Sequence, residues 1–150
     1  MSLIVTTVQD DIGFITLNNP EKRNALTASL VREVSFDSAF TFIFSPRSGT
    51  EAATLPDQVP DQVKHERLEA LVDVVQDVAA WRNALRIGRI EEVLVEGSSR
   101  TDPTLSRGRT RRNTTVNFSG SAAAGELADV IIDGATSTTL RGREASLVAA

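Results

Sequence analysis

The spacing of apolar residues changes character at Gly88, and no single type of secondary structure accommodates both sides of the change. Before it, Leu68, Leu71, Val72, Val75, Val78, Ala79 and Leu85 recur at steps of three and four, while Lys64, Glu66, Arg67, Glu69, Asp73 and Gln76 fall mostly between them. Such steps place the apolar residues on one stripe of a helix. An amphipathic helix is therefore predicted over 60–86, opening at Pro60, whose missing N–H has no partner in a first turn anyway. Its stripe needs a covering surface, and Trp81 is expected to anchor that contact. After Gly88 the β-prone segments are short: 90–95, 107–111, 114–118, 127–133 and a last one around 138–140. Gly97-Ser98-Ser99, Arg112-Asn113, Ser119-Gly120-Ser121 and Asp133-Gly134 punctuate them. Strands at this close spacing predict a small antiparallel barrel over 87–145.

Upstream of the helix, Leu3 to Val8 and Phe14 to Leu17 are rich in β-branched and large apolar residues, with Gln9, Asp10, Asp11 and Gly13 supplying turn chemistry between them. A β-hairpin is predicted there. Thr27 is placed to cap a short helix through Leu30, Val31 and Val34, giving a first unit over 1–35. Within 36–59, the run Ala39 to Phe44 ends at Ser45-Pro46 and reads as a buried strand followed by a loop. A strand without a parent sheet exposes a pairing edge, so self-association through Ala39 to Phe44 is expected. The fold class is thus α+β: hairpin and short helix, long linker helix, small C-terminal barrel.

Composition removes whole classes of chemistry. The 150 residues include no cysteine and one histidine, His65, so thiolate metal sites, cysteine nucleophiles, cysteine-ligated clusters and histidine-rich metal sites are not expected. No apolar run approaches the roughly 20 residues that span a bilayer, and the N-terminus lacks a signal-peptide pattern; no membrane contact and a cytoplasmic location are expected. His65 beside Glu66 reads as an exposed helix histidine. Ser45 and Ser48 have no histidine neighbour, and Glu91, Glu92 and Glu96 read as charge balance. No catalytic residue, cofactor or metal is expected.

The net charge of −4 conceals a local reversal: residues 82–112 carry eight arginines against Glu91, Glu92, Glu96 and Asp102. Guanidinium groups bind phosphate bidentately and stack on bases. Arg107, Arg109 and Arg111 alternate, so a strand would project them to one face, with Arg112 in the following turn and Phe118 on the next strand. A basic groove with an aromatic platform is how single-stranded RNA is bound without strict sequence preference. Arg89, Arg100 and Arg141 are secondary candidates. Solvated arginines over a Phe118 that packs in the barrel are the plainer alternative.

Two stretches resemble known families. Ile12 to Leu26, with LNNPEKRNAL at its centre, resembles the N-terminal hairpin of the enoyl-CoA hydratase/isomerase (crotonase) family, which implies that backbone near Lys22 to Leu26 approaches CoA. That family's glycine-rich oxyanion-hole loops and catalytic carboxylates have no counterpart here. From about Val31 onward, VREVSFDSAFTFIFSPRSGT, LPDQVPDQVKHERLEAL, GRIEEVLVEGSSRTDP, GRTRRNTTVNF and the LRG at 140–142 resemble, in order, the C-terminal part of the tRNA methylthiotransferases. This second resemblance implies the last strand of a radical-SAM barrel, a linking helix and a TRAM domain, a small RNA-binding β-barrel. Ser48 stands where that family usually has proline. Together the resemblances imply a junction near Leu30 to Phe36, as in a chimera, natural or artificial.

The expected function is non-catalytic binding of tRNA or another structured RNA through Arg89, Arg100, Arg107, Arg109, Arg111, Arg112, Phe118 and Arg141. The three-cysteine cluster motif of the methylthiotransferases is absent, so that reaction is not expected of this chain by itself. A remnant acyl-CoA-binding hydratase or isomerase, and a folded product without a ligand, are the alternatives.

Overall fold

The computed structural model describes residues 4–9, 12–17, 27–56 and 58–145. Contacts group into two units, 1–75 and 76–150, and each is described by itself.

In the first unit, strands β1 (Ile4–Gln9) and β2 (Ile12–Leu17) pair antiparallel, Ile4 opposite Leu17 and Gln9 opposite Ile12. Helix α1 (Ala28–Val34) follows, capped as predicted by Thr27, whose hydroxyl accepts from the Leu30 N–H at 3.3 Å. It ends at Ser35 in a left-handed conformation, and its Leu30 and Val31 are buried. Residues 18–26, including the Lys22 to Leu26 turn of the crotonase resemblance, lie outside the described residues. A short helix α2 (Glu51–Thr54) precedes the long helix α3 (Asp61–Ala84), which begins one residue after Pro60 and whose Lys64 N–H bonds the Pro60 carbonyl.

The buried strand expected at Ala39 to Phe44 is not formed. The segment is irregular, with Phe40 92% and Phe42 82% exposed, while Phe42, Ile43 and Phe44 line a groove with Val59 ahead of α3 and with Leu68 and Leu71 on it. A strand is stabilised by a ladder, and no described strand runs beside this segment. The pairing edge on which self-association was expected is accordingly missing.

The second unit holds the last turns of α3 and five strands: β3 (Ile90–Ser98), β4 (Ser106–Thr110), β5 (Thr115–Ser119), β6 (Leu127–Ala135) and β7 (Thr139–Glu144). They close a barrel in the order β3-β4-β5-β7-β6. The expectation of an all-antiparallel barrel needs one correction, since β5 and β7 are parallel, Val116 beside Leu140 and Asn117 beside Arg141. β7 is also longer than its predicted Thr138 to Leu140, because the polar run Arg141 to Glu144 continues the ladder.

Alternate residues fill the interior: Val93, Val95, Val116, Phe118, Ala128, Val130, Ile132 and Leu140 form one buried cluster. Gly108 and Gly142 occupy inward positions of β4 and β7. A Cβ on Gly108 would strike the Leu94 carbonyl oxygen and Val93, and one on Gly142 the Ile131 carbonyl oxygen and Val130.

The end of α3 meets the barrel through a stripe different from the predicted one. Ala79, Asn83 and Arg86 are buried, whereas Trp81 is 55% and Leu85 52% exposed. The Asn83 amide donates to the carbonyls of Thr136 (2.8 Å) and Ser137 (3.3 Å). Arg86 donates to the Thr114 hydroxyl at 3.0 Å and lies 3.9 Å from Glu91. These two polar anchors, Asn83 in the last turn of α3 and Arg86 just beyond it, dock the helix end and leave Trp81 toward solvent. Gly142→Ala should lower stability by about 1–3 kcal/mol through overpacking against carbonyl and valine neighbours, seen as a fall in thermal midpoint of at least about 4 °C by circular dichroism.

Candidate nucleic-acid interface

The register of β4, β5 and β7 writes a polar face onto the outside of the barrel. Because Gly108, Val116 and Leu140 point inward, their neighbours Arg107, Asn117 and Arg141 point outward, and these three stand side by side across the strands. The next row is Arg109, Thr115 and Thr139. On the other side Ser119 pairs with Arg143, an exposed arginine that sequence reasoning missed because β7 was predicted to end at Leu140.

Two β-bulges deliver carboxylates to this face. The register of β3 on β4 skips between Val95 and Gly97, leaving Glu96 as the extra residue. Its carboxylate lies 3.6 Å from Arg107 and 3.4 Å from Arg109. The register of β6 on β7 skips between Ile132 and Gly134, leaving Asp133, which accepts from Arg141 Nε at 2.9 Å. A bulge bends the strand and re-aims the extra side chain, which is how each acid reaches the outer arginines. Gly134 lets the Arg141 guanidinium lie over the backbone, since a Cβ there would come within 3.1 Å of it.

The predicted arginines divide by surroundings. Arg109 also donates from Nη1 to the carbonyl and side-chain oxygens of Asn113, both at 3.1 Å, so it braces its own turn. Arg111 is not on β4 but in the turn after it, bound to Glu92 at 2.6 Å; it lines a pocket with Arg109, Glu92 and Leu94 but is not in the cross-strand row of Arg107. Arg112 is exposed in the same turn. Arg89 is exposed ahead of β3, where its carbonyl accepts from the Ile132 N–H, outside the cross-strand row. The role of the glutamates as charge balance is visible in these ion pairs. Exposed pairs of this kind are worth about 0–1 kcal/mol each, so a phosphate competes for the same guanidinium at small cost.

Arg100 joins the row from a loop. With Ser99, Thr101, Arg107, Thr115 and Asn117 it lines a pocket of about 230 Å³. The loop is internally bonded: Ser99 N–H to the Leu105 carbonyl at 2.8 Å, and Asp102 accepting from the Thr104 hydroxyl at 2.6 Å and its N–H at 3.0 Å. Those two bonds hold the Asp102 carboxyl below its usual range. Across Asn117, a second pocket of about 350 Å³ is lined by Leu105, Gly134, Ala135, Thr136, Thr139, Leu140 and Arg141.

Phe118 requires a correction. It is fully buried in the barrel cluster, because its place on β5 is one residue out of phase with Asn117 and Thr115; it is no stacking platform. His65 lies exposed on α3, with Nδ1 2.7 Å from the Asp61 carbonyl. Beside it, the Asp61 carboxyl is held below its usual range by the Lys64 ammonium at 2.9 Å. Among the described residues, no group of three or more His, Cys, Asp or Glu side chains is arranged to hold a metal ion, and no helix is long and apolar enough to cross a membrane.

Comparison with known proteins bears on the same residues. The sequence model of the TRAM domain matches 84–144. The chain is 50% identical over 125 residues to a tRNA-2-methylthio-N(6)-dimethylallyladenosine synthase of Clostridium botulinum (strain Hall), covering 83% of this chain and 28% of that protein. It is 48% identical over 126 residues to the protein of the same name from Geobacillus kaustophilus, covering 83% and 24%. For Geobacillus thermodenitrificans the figures are 46% over 130 residues, 86% and 25%. The chain thus spans about a quarter of the length of these relatives. Truncating Phe118 to alanine should cost about 3–5 kcal/mol of barrel stability, read from a denaturant titration, while Phe118→Leu should leave nucleic-acid affinity unchanged in the folded chain.

Proposed function

We propose, from the premise that residues 84–144 of this chain are a TRAM domain, that the chain binds RNA, and specifically tRNA, on the outer face of β4, β5 and β7 without itself catalysing a reaction. The observation that carries this reading is the cross-strand row Arg107, Asn117 and Arg141, flanked by Arg100 and Arg143. Both the TRAM domain and the likeness to enzymes named for a tRNA nucleoside support an RNA-binding role. Guanidinium groups on a rigid sheet, separated by small polar side chains, follow a phosphate backbone and leave room for sugar and base.

Arg107 and Arg141 are the central phosphate contacts, Arg100 and Arg143 extend the track to either side, and Arg109 contributes chiefly by holding its turn. Arg89, Arg111 and Arg112 stand outside the row and act at most through long-range attraction. A chain without cysteine cannot ligate an iron–sulfur cluster through thiolates, so the methylthiolation that the relatives' names describe would need residues other than these 150. On this reading the chain is an RNA-holding module of the cytoplasm. The crotonase resemblance at the N-terminus carries no site among the described residues, and acyl-CoA binding is not part of the reading.

Binding through counterion release makes affinity fall with salt in proportion to the phosphates neutralised. Titrating unmodified tRNA across a salt series should therefore give a steep negative slope, and Arg107→Ala and Arg141→Ala should each reduce its magnitude by about 1. Arg111→Ala should change it by much less. A flat salt dependence, or equal effects of Arg111→Ala and Arg107→Ala, would remove this face as the binding surface.

A further inference from the structure

At the centre of the arginine row sits a polar atom that the barrel leaves unsatisfied. The side-chain carbonyl oxygen of Asn117 is buried and has no hydrogen-bond partner among the described residues. Strand β5 does not need an amide there. A threonine or valine would fill an outward position of a strand without leaving an acceptor unpaired at a cost to stability. Asn117 is also the one residue of β5 that lines both pockets, with Arg100 and Arg107 on one side and Arg141, Thr139 and Leu105 on the other. The neighbouring guanidinium groups do not satisfy the oxygen, because Glu96 and Asp133 draw Arg107 and Arg141 aside.

We propose that Asn117 is a base-reading residue of this face, its carboxamide pairing with the edge of an adenine held between the two pockets. The inference rests on the RNA-binding reading above. An unpaired carbonyl oxygen requires a donor, and its amide partner offers one. Adenine presents a matching pair, the N6 amine as donor and N7 as acceptor, and asparagine meets both at once. Uracil offers no donor on the corresponding edge, where it presents only O4; its N3–H lies on the Watson–Crick edge. When RNA phosphates take up the guanidinium groups of Arg107 and Arg141, those side chains leave their carboxylates and open the amide between them to a base. Arginines thus hold the strand, and Asn117 distinguishes what it carries.

The test uses the full chain and two single-stranded oligoribonucleotides of 12 residues, oligo(A) and oligo(U), with tRNA as reference ligand at low salt. One bidentate amide–adenine pair should favour oligo(A) by about 5- to 150-fold. Asn117→Asp removes the amide donor and Asn117→Ser shortens the reach; both should bring the ratio near one. Arg107→Ala should weaken both oligomers alike and leave the ratio intact. Melting curves establish which variants fold, and where one does not, the other variant and the native ratio decide. A native ratio of one, or a ratio unchanged in the folded variants, as when a water satisfies the oxygen, overturns the assignment. If tRNA binds while oligo(A) and oligo(U) bind equally, only the base-reading role fails. If no RNA binds, the RNA-binding reading fails with it.

Discussion

Closure of the barrel through the parallel pairing of β5 with β7 is the constraint on which the rest of the second unit depends. Without that seam β5 and β7 would be the open edges of a sheet in the order β5-β4-β3-β6-β7, curled round nothing. The seam brings Val116 beside Leu140, so the apolar halves of the two strands face one interior, and in the same register it sets Asn117 beside Arg141 on the outside. One pairing thus fixes core and surface together. A slip of one residue would turn every side chain of a strand to the opposite face, burying arginines and exposing Phe118. The inward glycines of β4 and β7 belong to the same requirement, because they face the carbonyl oxygens of Leu94 and Ile131 across strands that pass close by.

Much of this was legible in the residues. The change at Gly88, the hairpin, the Thr27 cap, the long helix and the five β segments all follow from local chemistry, and the structure reproduces them within a few residues at each end. What was not legible depended on partners distant in sequence. Ala39 to Phe44 has the composition of a buried strand, yet composition does not say whether a neighbour exists to complete the ladder. Trp81 looked like an anchor because it is large and apolar, whereas the helix docks through Asn83 and Arg86, whose partners are a turn more than fifty residues away and a threonine beyond β4. The parallel seam also leaves no local trace, since it joins strands that are not consecutive.

The proposed binding face was half visible for the same reason. Alternation along Arg107 to Arg111 correctly puts Arg107 and Arg109 on one side, but the strand ends at Thr110 and releases Arg111 into a turn. Alternation along β5 held the answer for Phe118, since Val116 and Phe118 share a face and that face had to be the interior. Asn117 then has to point outward, between strands whose arginines could only be assigned to it once the order β4-β5-β7 was known. The bulges at Glu96 and Asp133 have no sequence signature beyond the glycine that follows each.

Those two bulged acids partly neutralise the face from within its own chain. Arg107, Arg109 and Arg141 hold tethered carboxylates in place of mobile ions, so an incoming phosphate exchanges one anion for another instead of filling an empty site. Each such pair is worth only about 0–1 kcal/mol, so an isolated phosphate displaces its acid at small cost but gains a single contact. A polymer that offers phosphates to several arginines in one event displaces the acids together and does not release them one by one. If this face binds RNA as proposed, a long nucleic acid is favoured there over a single phosphate by the number of arginines it engages at once.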